Sequence, residues 1–417
     1  MITGYKSLSC GLLGQHLGHS YSVQIHRALA DYPYRLIELE DENAVGAFLE
    51  SRNFDALNVT IPYKRTVLPY LTRISEEARR IGAVNTIRKE KNGELSGYNT
   101  DYYGFSYLVR RTGLQIRGAK VLILGSGGAS LTAQTVCRDM GASRVLVISR
   151  SGPDNYQTIS RHADADVIIN ATPVGMYPSN GDIPVDLSLF PNLCGVLDMI
   201  YNPFRTKLLF EAEKHSIPCS NGLPMLAAQA KQACEIFLSD GTALPDEVNE
   251  DIIRQVDNMT RNLILIGMPG CGKTTVGKKL AEATGRTFVD ADLELEKTFG
   301  RSIPSIFQTD GKDAFRRMET EVLRDLCKRS ALVIATGGGA VETPENYELL
   351  RQNGKVIWLT RDLSALPLDG RPISQSTPVE EIFRRRKSLY EFFSDYTVSN
   401  DCPPERTVQT ILEDLRI

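Results

Sequence analysis

Two long segments of the chain share one pattern: an apolar, β-branched run, a turn of glycines, and then a helical spacing of apolar residues. They occupy residues 119–141 (AKVLILGSGGASLTAQTVCRDMG) and 262–285 (NLILIGMPGCGKTTVGKKLAEATG). A buried strand that turns into an amphipathic helix begins a βαβ unit, and the strands of such units pair in parallel. The pattern therefore predicts two separate parallel sheets.

Shorter apolar runs alternate with helical patterns before residue 119. The runs CGLLG, YRLIEL and ALNVTI are typical of strands and predict a third α/β domain at the N-terminus. Residues 237–261 instead carry a glycine, a proline and an acidic helical run without a strand pattern, so the main boundary is expected near residue 250. Several domains are also expected from the 417 residues, because one core rarely serves more than about 250–300 residues.

The composition narrows the classes of function. With a net charge of -3, the chain lacks the basic excess that binding to nucleic acid through bulk charge requires. Apolar runs stay shorter than about 18 residues and the N-terminus has no signal-peptide pattern, so we predict no membrane partner and a cytoplasmic location. The eight cysteines form no CxxC pair and are interpreted as free thiols.

The first glycine loop follows the run VLIL and precedes a helix. Backbone N–H groups of such a loop bind a pyrophosphate, and the predicted contacts are Gly125, Ser126, Gly127, Gly128 and Ala129. Because Ser130 occupies the sixth position of GxGxxG, a purely structural tight turn is the alternative. The next run, RVLVI, ends at Ser149, Arg150 and Ser151, where an arginine suits the 2'-phosphate of NADP. The alternative is that Arg150 is an ordinary surface charge.

The second glycine loop matches G-x-x-x-x-G-K-[ST] through Gly267, Gly272, Lys273 and Thr274. In this motif backbone N–H groups surround the phosphates, the lysine reaches the outer ones, and the hydroxyl coordinates Mg²⁺. The predicted nucleotide contacts are Gly270, Cys271, Gly272, Lys273, Thr274 and Thr275. The residues that remain after Met259 suffice for a small kinase domain but not for a large mechanical ATPase.

Polar clusters in the N-terminal domain are hard to explain by packing. HSYS places Ser20 and Ser22 beside His19, NVTIPYK places Thr60 and Lys64 around a proline, and GYNTDYYGF places Asp101 on a turn. Polar side chains that gather on loops indicate a site.

These clusters and four further segments resemble shikimate dehydrogenase, in the order of that family. The four segments are AVNT (83–86), NATPVGM (170–176), LDMIYNP (197–203) and GLPMLAAQA (222–230). The resemblance covers roughly residues 8–238 and implies reduction of 3-dehydroshikimate by hydride from NADPH. Lys64 would then donate the proton to the ketone oxygen, and Asp101 would hold Lys64 and a ring hydroxyl.

The resemblance also implies the remaining contacts of this site. The substrate would be bound by Ser20, Ser22, Thr60, Asn85, Tyr201 and Gln229. Met199 and Gly222 would contribute to the cofactor site. Val23, Ala56 and Ser149 depart from the family pattern, and only fifteen residues separate Arg150 from Asp166. This spacing is too short for a helix, a strand and a further helix, so we predict a trimmed Rossmann-like domain.

Six segments after the second glycine loop resemble shikimate kinase. They are FVDAD (288–292), SIPSIF (302–307), GKDAFRRME (311–319), ATGGGAV (335–341), GRP (370–372) and RKSLY (386–390). The resemblance implies that Asp292 contacts the attacking hydroxyl and acts as a base, and that Asp290 supports Mg²⁺ together with Thr274. Arg316 and Arg371 would bind the substrate carboxylate, and Gly338 would bring the backbone close to the ring.

The lid of this domain departs from the family. The segment between Trp358 and Arg371 is short and lacks the paired arginines, so we predict a lid that closes less completely. Arg361 or the run Arg384–Arg386 could compensate. The alternative is that the run is a solvated helix face, and only Arg386 falls at the family position, four residues before Tyr390.

The sequence as a whole predicts an α/β protein with two consecutive enzymes. We assign residues 1–101 to the dehydrogenase substrate domain, to which helices near 222–240 return, and residues 102–240 to a Rossmann-like NADP domain. Residues 241–260 form a linker, and residues 261–417 form a P-loop kinase domain with a parallel sheet, like nucleoside-monophosphate kinases. The expected cofactors are NADP(H), ATP and Mg²⁺, and the expected substrates are 3-dehydroshikimate and shikimate.

Two alternatives remain open. Both folds could serve other substrates, for instance quinate for the dehydrogenase or another small hydroxyl compound for the kinase. One half, more readily the trimmed dinucleotide domain, could instead be an inactive ligand sensor or a scaffold.

Overall fold

The computed structural model of the protein describes residues 1–18, 20–366 and 378–416. Contacts between residues divide the chain into two units. Unit 1 comprises residues 1–201 and 206–256, and unit 2 comprises residues 202–205 and 257–417. Within the described residues the strands form three sheets, two in unit 1 and one in unit 2.

The first sheet of unit 1 is mixed. Its strands are β1 (Cys10–Gly14), β2 (Tyr34–Glu38), β3 (Ala56–Val59), β4 (Arg73–Ile74), β5 (Thr86–Lys89) and β6 (Leu95–Tyr98), in the order β2-β1-β3-β5-β6-β4. β1 pairs in parallel with β2 and β3, whereas β5 pairs antiparallel with β3 and β6. The runs CGLLG, YRLIEL and ALNVTI supply β1 to β3, so the strands predicted there are confirmed.

Three helices accompany this sheet: α1 (Ser22–Leu29), α2 (Glu42–Ser51) and α3 (Glu76–Ile81). Two of them begin at a side-chain cap, because Asp41 accepts a hydrogen bond from the N–H of Ala44 and Ser75 accepts one from the N–H of Ala78. Such caps satisfy N–H groups that the first turn of a helix leaves without a partner. They fix where these helices begin beside the sheet.

The second sheet of unit 1 is parallel throughout. Its strands are β7 (Lys120–Leu124), β8 (Arg144–Ile148), β9 (Val167–Asn170), β10 (Gly195–Asp198) and β11 (Cys219–Ser220), in the order β11-β10-β9-β7-β8. The sheet ends at β8 because residues 149–166, all of them described, contain a 3-10 turn at Ile159–His162 and no further strand. The prediction of a trimmed Rossmann-like domain is therefore confirmed.

Five helices complete the elements of this part: α4 (Thr100–Thr112), α5 (Gly128–Asp139), α6 (Lys207–Lys214), α7 (Leu223–Leu238) and α8 (Glu247–Thr260). The helix α7 packs against α4 and also against α1. At Gly104 of α4, a Cβ atom would lie 2.6 Å from the carbonyl oxygen of Met225. Glycine therefore allows α4 and α7 to approach closely, which carries α7 back to the N-terminal part of the chain.

The helix α8 occupies most of the segment that we expected to be a linker. Tyr107 and Arg111 of α4 both donate hydrogen bonds to Glu250, and Ile252 and Val256 are buried. The division between the units falls between residues 256 and 257, close to the expected position near 250. The acidic run is thus a helix that buries apolar residues at helical spacing and is hydrogen-bonded to α4.

Unit 2 is built on a parallel sheet of five strands. They are β12 (Asn262–Ile266), β13 (Thr287–Asp290), β14 (Leu332–Ala335), β15 (Gly354–Thr360) and β16 (Tyr396–Ser399), in the order β13-β14-β12-β15-β16. The helices of this unit are α9 (Lys273–Thr284), α10 (Ala291–Phe299), α11 (Ile303–Lys328), α12 (Asn346–Gln352), α13 (Val379–Phe393) and α14 (Pro404–Leu415). The central strand β12 is buried throughout and leads directly into the second glycine loop. The two parallel sheets predicted from the repeated pattern are confirmed.

Two further features concern the cysteines and the length and polarity of the helices. All eight cysteines are free, and five of them are buried. Along the described residues, every helix is too short or too polar to cross a membrane.

Candidate active sites

A cavity of about 800 Å³ lies in unit 1 and is lined by the loop after β1, the end of β3 and the helix α7. We call it the first cavity. Seven residues predicted to contact the substrate line it: Ser20, Ser22, Thr60, Lys64, Asn85, Tyr201 and Gln229. His19 lies outside the described residues. The fold therefore gathers in one place residues that are dispersed from position 20 to position 229.

An ion pair lies at the edge of the first cavity. The Lys64 Nζ atom is 2.6 Å from the Asp101 Oδ2 atom, and the side chain of Asp101 is 11% exposed. Asp101 lies in the first turn of α4, where the helix dipole stabilises a carboxylate. Lys64 itself lines the cavity. The pair can thus present a fixed ammonium group to a bound molecule.

Asn85 and Asn99 hold the turn that carries Asp101. The Asn85 Oδ1 atom accepts a hydrogen bond from the backbone N–H of Thr100 at 2.8 Å. The Asn99 side chain donates to the carbonyl oxygen of Ala83 at 2.9 Å. Because these side chains are buried, their hydrogen bonds restrict the position of the first turn of α4.

Ser20, Ser22 and Tyr201 form a polar wall of the first cavity. The Ser20 hydroxyl donates to the Ser22 oxygen at 3.0 Å, and Tyr201 contacts Tyr21 edge to face with ring centroids 6.3 Å apart. Burial raises the pKa of Tyr201, and Tyr21 raises it further. The Tyr201 hydroxyl is therefore protonated at neutral pH and able to donate a hydrogen bond.

A buried carboxylate that the sequence analysis did not select supports the chain around Tyr201. Asp198 accepts hydrogen bonds from Thr206 at 2.6 Å, from the N–H of Ile200 at 3.0 Å and from Asn170 at 3.0 Å. Burial raises the pKa of Asp198 to about 6, against the lowering effect of these three hydrogen bonds. In the sequence, this aspartate ends the apolar run GVLD and belongs to the segment LDMIYNP.

The first glycine loop lies at the carboxyl ends of β7 and its parallel neighbours, where such sheets bind ligands. Gly125 has a φ of +99°, and a Cβ atom at Gly127 or Gly128 would meet nothing within 4 Å. Ser126 and Ala129 belong to the same loop and to the start of α5. The backbone around these residues is open, so it fits the close approach of a dinucleotide phosphate.

Two other groups of predicted cofactor residues lie at the same edge of the sheet. Ser149, Arg150 and Ser151 follow β8, and Arg150 is exposed. Met199 follows β10, and a Cβ atom at Gly222 would lie 2.2 Å from the Met199 carbonyl oxygen. Glycine is therefore required at position 222. The first glycine loop, residues 149–151, and the pair Met199 and Gly222 all lie where they could contact NADP.

A second cavity, of about 530 Å³, lies in unit 2 beside the second glycine loop. Nine of the residues predicted for this site line it: Gly270, Gly272, Lys273, Thr274, Thr275, Asp290, Asp292, Arg316 and Gly338. Cys271 is buried beneath the loop, and Arg371 lies outside the described residues. Arg361 also lines the cavity, and residues 367–370 of the predicted lid lie outside the described residues.

The second glycine loop is held in a phosphate-binding shape by contacts within unit 2. The Lys273 Nζ atom donates to the carbonyl oxygens of Gly267 and Met268 at 2.9 and 3.1 Å. Asn400 donates to the carbonyl oxygen of Cys271 at 2.7 Å, and its amide leaves no space for a side chain at Gly272. Asn400, which follows β16, was not predicted because it is far from the loop in sequence.

Hydroxyl and carboxylate groups meet at one end of the second cavity. The Thr274 hydroxyl donates to Asp290 Oδ2 at 2.9 Å, and Asp290 Oδ1 accepts from the N–H of Asp292 at 3.2 Å. Burial raises the pKa of Asp292 and the charge of Asp290 raises it further, although Lys273 and Arg316 partly oppose them. Oxygen atoms of this kind are the ligands that Mg²⁺ prefers, so Thr274 and Asp290 fit this ion.

Glycines also let the backbone pass close to charged side chains of the second cavity. A Cβ atom at Gly337 would lie 2.8 Å from an Asp292 oxygen, and one at Gly338 would lie 2.6 Å from Pro269. Arg316 Nη1 donates to Glu319 at 2.6 Å. An acceptor molecule in this place would therefore lie between a carboxylate and a guanidinium group.

The arginine run on α13 is divided by burial. Arg384 and Arg385 are exposed, whereas Arg386 is 2% exposed and lines the second cavity. Arg386 Nη1 and the Tyr390 hydroxyl donate to the Gly338 carbonyl oxygen at 3.2 and 2.5 Å. The solvated-face alternative thus applies to two of the three arginines, and the third belongs to the cavity.

Two family models match the chain. Residues 12–87 match the model for the shikimate dehydrogenase substrate binding domain, and residues 269–416 match the model for shikimate kinase. A shikimate dehydrogenase (NADP(+)) from Clostridium beijerinckii is 39% identical over 247 residues, which cover 54% of this chain and 90% of that protein.

Solved structures also resemble the first part of the chain. A chorismate mutase/shikimate 5-dehydrogenase fusion protein from Clostridium acetobutylicum is 34% identical, with a TM-score of 0.56, over 60% of this chain and 96% of that chain. The shikimate 5-dehydrogenase from Thermus thermophilus, in complex with NADP(H) and shikimate, is 29% identical with a TM-score of 0.53. That match covers 61% of this chain and 99% of the Thermus chain.

Proposed function

The chain belongs to the shikimate dehydrogenase family and carries in addition a shikimate kinase domain, and from this we propose that it catalyses two consecutive reactions. The first is the NADPH-dependent reduction of 3-dehydroshikimate to shikimate. The second is the ATP-dependent phosphorylation of shikimate to shikimate 3-phosphate. The observation that carries the proposal is that seven residues predicted for the first reaction line the cavity in unit 1, and nine predicted for the second line the cavity in unit 2.

In the first reaction, bound NADPH supplies a hydride to the carbonyl carbon. Negative charge then develops on the ketone oxygen, and the Lys64 ammonium group donates a proton to it. Asp101, 2.6 Å from Lys64, keeps this ammonium group in place. Ser20, Ser22 and Tyr201 offer hydroxyl groups to the carboxylate of the substrate. Thr60, Asn85 and Gln229 offer polar groups to its hydroxyls.

In the second reaction, bound ATP with Mg²⁺ supplies the phosphoryl group. Asp292 accepts the proton of the acceptor hydroxyl, and Lys273 neutralises charge on the transferring phosphate oxygens. Thr274 and Asp290 would hold the magnesium ion. Arg316, Arg371 and the backbone at Gly338 would bind the acceptor, so that catalysis consists mainly of positioning and charge neutralisation.

The experiment that tests this function measures each activity of the purified chain with paired substrates. NADPH oxidation is followed with 3-dehydroshikimate or 3-dehydroquinate, and ADP release with shikimate or quinate. We expect the shikimate compounds to be preferred in both assays. A preference for the quinate compounds would support the alternative substrates, and ligand binding without turnover in either assay would support the sensor.

The cofactor preference should depend on Arg150. Arg150→Ala is expected to raise the KM for NADPH about tenfold, because a charge-assisted contact with the 2'-phosphate is lost. The KM for NADH should stay unchanged, since NADH lacks that phosphate. The matched control is Arg144→Ala, at the opposite end of β8. An equal change in both KM values would show that Arg150 does not recognise the phosphate.

The kinase should require ionised Asp292. Asp292→Asn is expected to lower kcat for shikimate phosphorylation about 10²-fold, because general-base catalysis is removed. Since burial raises the pKa of Asp292, its ionised form is lost at a higher pH than that of an ordinary aspartate. As the pH is lowered, the wild-type kcat/KM should therefore begin to fall at a higher pH than an ordinary aspartate would give. If the variant kept more than about a tenth of kcat, Asp292 would not be the base.

A further inference from the structure

Glu342 joins two arginines of the second cavity that come from different helices. It ends the 3-10 turn Ala340–Glu342, immediately after the three glycines at 337–339. Its Oε2 atom accepts a hydrogen bond from Arg316 of α11 at 2.8 Å, and its Oε1 atom accepts one from Arg386 of α13 at 3.0 Å. Both carboxylate oxygens are thus used, one for each guanidinium group.

Further cations surround the same carboxylate. Lys312 Nζ lies 3.5 Å from it and Arg385 Nη2 lies 3.9 Å from it. Burial alone would raise the pKa of Glu342, but the hydrogen bond and charge of Arg386 and the charges of Arg316 and Lys312 lower it to about 2. Glu342 is consequently ionised at every pH at which the protein would be assayed.

Arg386 depends strongly on this contact. Its side chain is 3% exposed, and in the described part of the chain Glu342 is the acidic residue with which it forms an ion pair. A buried arginine that loses its carboxylate partner is left with an uncompensated charge. Arg316 is held differently, because Glu319 also binds it, at 2.6 Å. Removal of Glu342 should therefore displace Arg386 more than Arg316.

Each arginine keeps N–H donors beyond those that bind Glu342. A guanidinium group has five N–H donors, and Arg316 and Arg386 both line the cavity while bound to Glu342. A carboxylate on a bound acceptor is recognised best by guanidinium groups whose orientation is already fixed. The contacts of Glu342 fix the orientation of two such groups at once.

We propose that Glu342 is a positioning residue of the kinase site, which holds Arg316 and Arg386 in the orientation that binds the carboxylate of the acceptor. The inference rests on the proposed function, since it takes an acidic acceptor as the ligand of this cavity. It adds a residue that acts on acceptor affinity rather than on the transfer of phosphate. The opposite role would be competition, in which Glu342 occupies the arginines and weakens acceptor binding.

The test is steady-state kinetics of Glu342→Gln, which preserves shape and removes charge. We expect the KM for shikimate to rise about tenfold or more, with kcat within about threefold of wild type, because misplaced binding groups weaken binding. The KM for ATP should not change, because the ion-pair partners of Glu342, among them Arg316, Arg386 and Lys312, lie outside the second glycine loop. Glu342→Asp, which restores the charge on a shorter side chain, should recover part of the affinity.

The matched control is Glu345→Gln. Glu345 lies three residues after Glu342 and forms an exposed ion pair with Arg324. Because exposed ion pairs contribute little, this substitution should leave the KM values for shikimate and ATP unchanged. An unchanged KM for ATP shows that the kinase domain of each variant is folded. Should Glu342→Gln unfold the kinase domain, the comparison is made with Glu342→Asp, which is then expected to raise the KM for shikimate.

The outcomes separate this inference from the proposed function. An unchanged or lowered KM for shikimate in a folded Glu342 variant overturns the positioning role, and a lowered KM indicates competition instead. If wild type and Glu345→Gln fail to phosphorylate shikimate, the proposed function is overturned and the role of Glu342 with it.

Discussion

Lys64→Ala should lower NADPH oxidation with 3-dehydroshikimate between about 10² and 10⁴-fold, the range that general acid catalysis contributes. The reason is chemical: the ketone oxygen gains charge as hydride arrives, and in the proposed mechanism the Lys64 ammonium group, which lines the first cavity, donates the proton. Alanine removes the donor and leaves Asp101, 2.6 Å away, without its partner. The loss is measured from the absorbance of NADPH at saturating substrate.

The same variant should phosphorylate added shikimate at the wild-type rate, because Lys64 belongs to unit 1 and the second cavity to unit 2. Lys89→Ala is the matched control. It removes another lysine of this part of the chain that forms an ion pair with an aspartate, Asp55, at 3.2 Å. Wild-type dehydrogenase activity in Lys64→Ala would remove Lys64 from the mechanism.

Lys273→Ala should have the reverse effect, with shikimate phosphorylation reduced about 10³-fold and NADPH oxidation unchanged. Lys273 is buried beside the glycine loop and donates to the carbonyl oxygens of Gly267 and Met268. A preorganised cation beside a transferring phosphoryl group stabilises charge that develops in the transition state. The measurement is shikimate-dependent release of ADP.

Lys279→Ala provides the comparison for this variant. Lys279 lies on the same helix, α9, and forms an exposed ion pair with Glu405 at 2.7 Å. We expect its removal to leave both activities unchanged, because exposed ion pairs contribute little. If a folded Lys64→Ala or Lys273→Ala protein lost both activities, the two sites would not be independent.

Local patterns were sufficient to predict much of the fold. The runs around β1 to β3 and the two glycine turns have strand and helix periodicities that depend on near neighbours in sequence. The short spacing between Arg150 and Asp166 likewise predicted a trimmed Rossmann-like domain, because so few residues cannot form the missing helix and strand. The helix α8 was expected only as part of a linker. Its contacts with α4 join residues that are far apart in the sequence, so local patterns did not predict them.

Residues that act through long-range contacts could not be predicted in this way. Asn400 reaches Cys271 across 129 positions, and Arg386 reaches Glu342 across 44. Asp198 meets Asn170 across 28 positions inside a core. Each of these polar groups is ordinary in its own segment, and its role follows only from the partner that the fold brings to it.

The run Arg384–Arg386 illustrates the same limit. Three consecutive arginines point in different directions around a helix, about 100° apart, so composition alone does not tell which of them is buried. Packing of α13 decides this, and it places Arg386 in the second cavity while Arg384 and Arg385 stay exposed. The sequence could indicate the position only through its spacing from Tyr390.

The most direct measurement is a time course of products by mass spectrometry. Purified wild-type protein is supplied with 3-dehydroshikimate, NADPH, ATP and Mg²⁺, and no other enzyme. Shikimate should form first and be converted into shikimate 3-phosphate, with one NADPH and one ATP consumed for each molecule of final product. Accumulation of shikimate without its phosphate, or the absence of NADPH oxidation, would contradict the assignment of both reactions to this one chain.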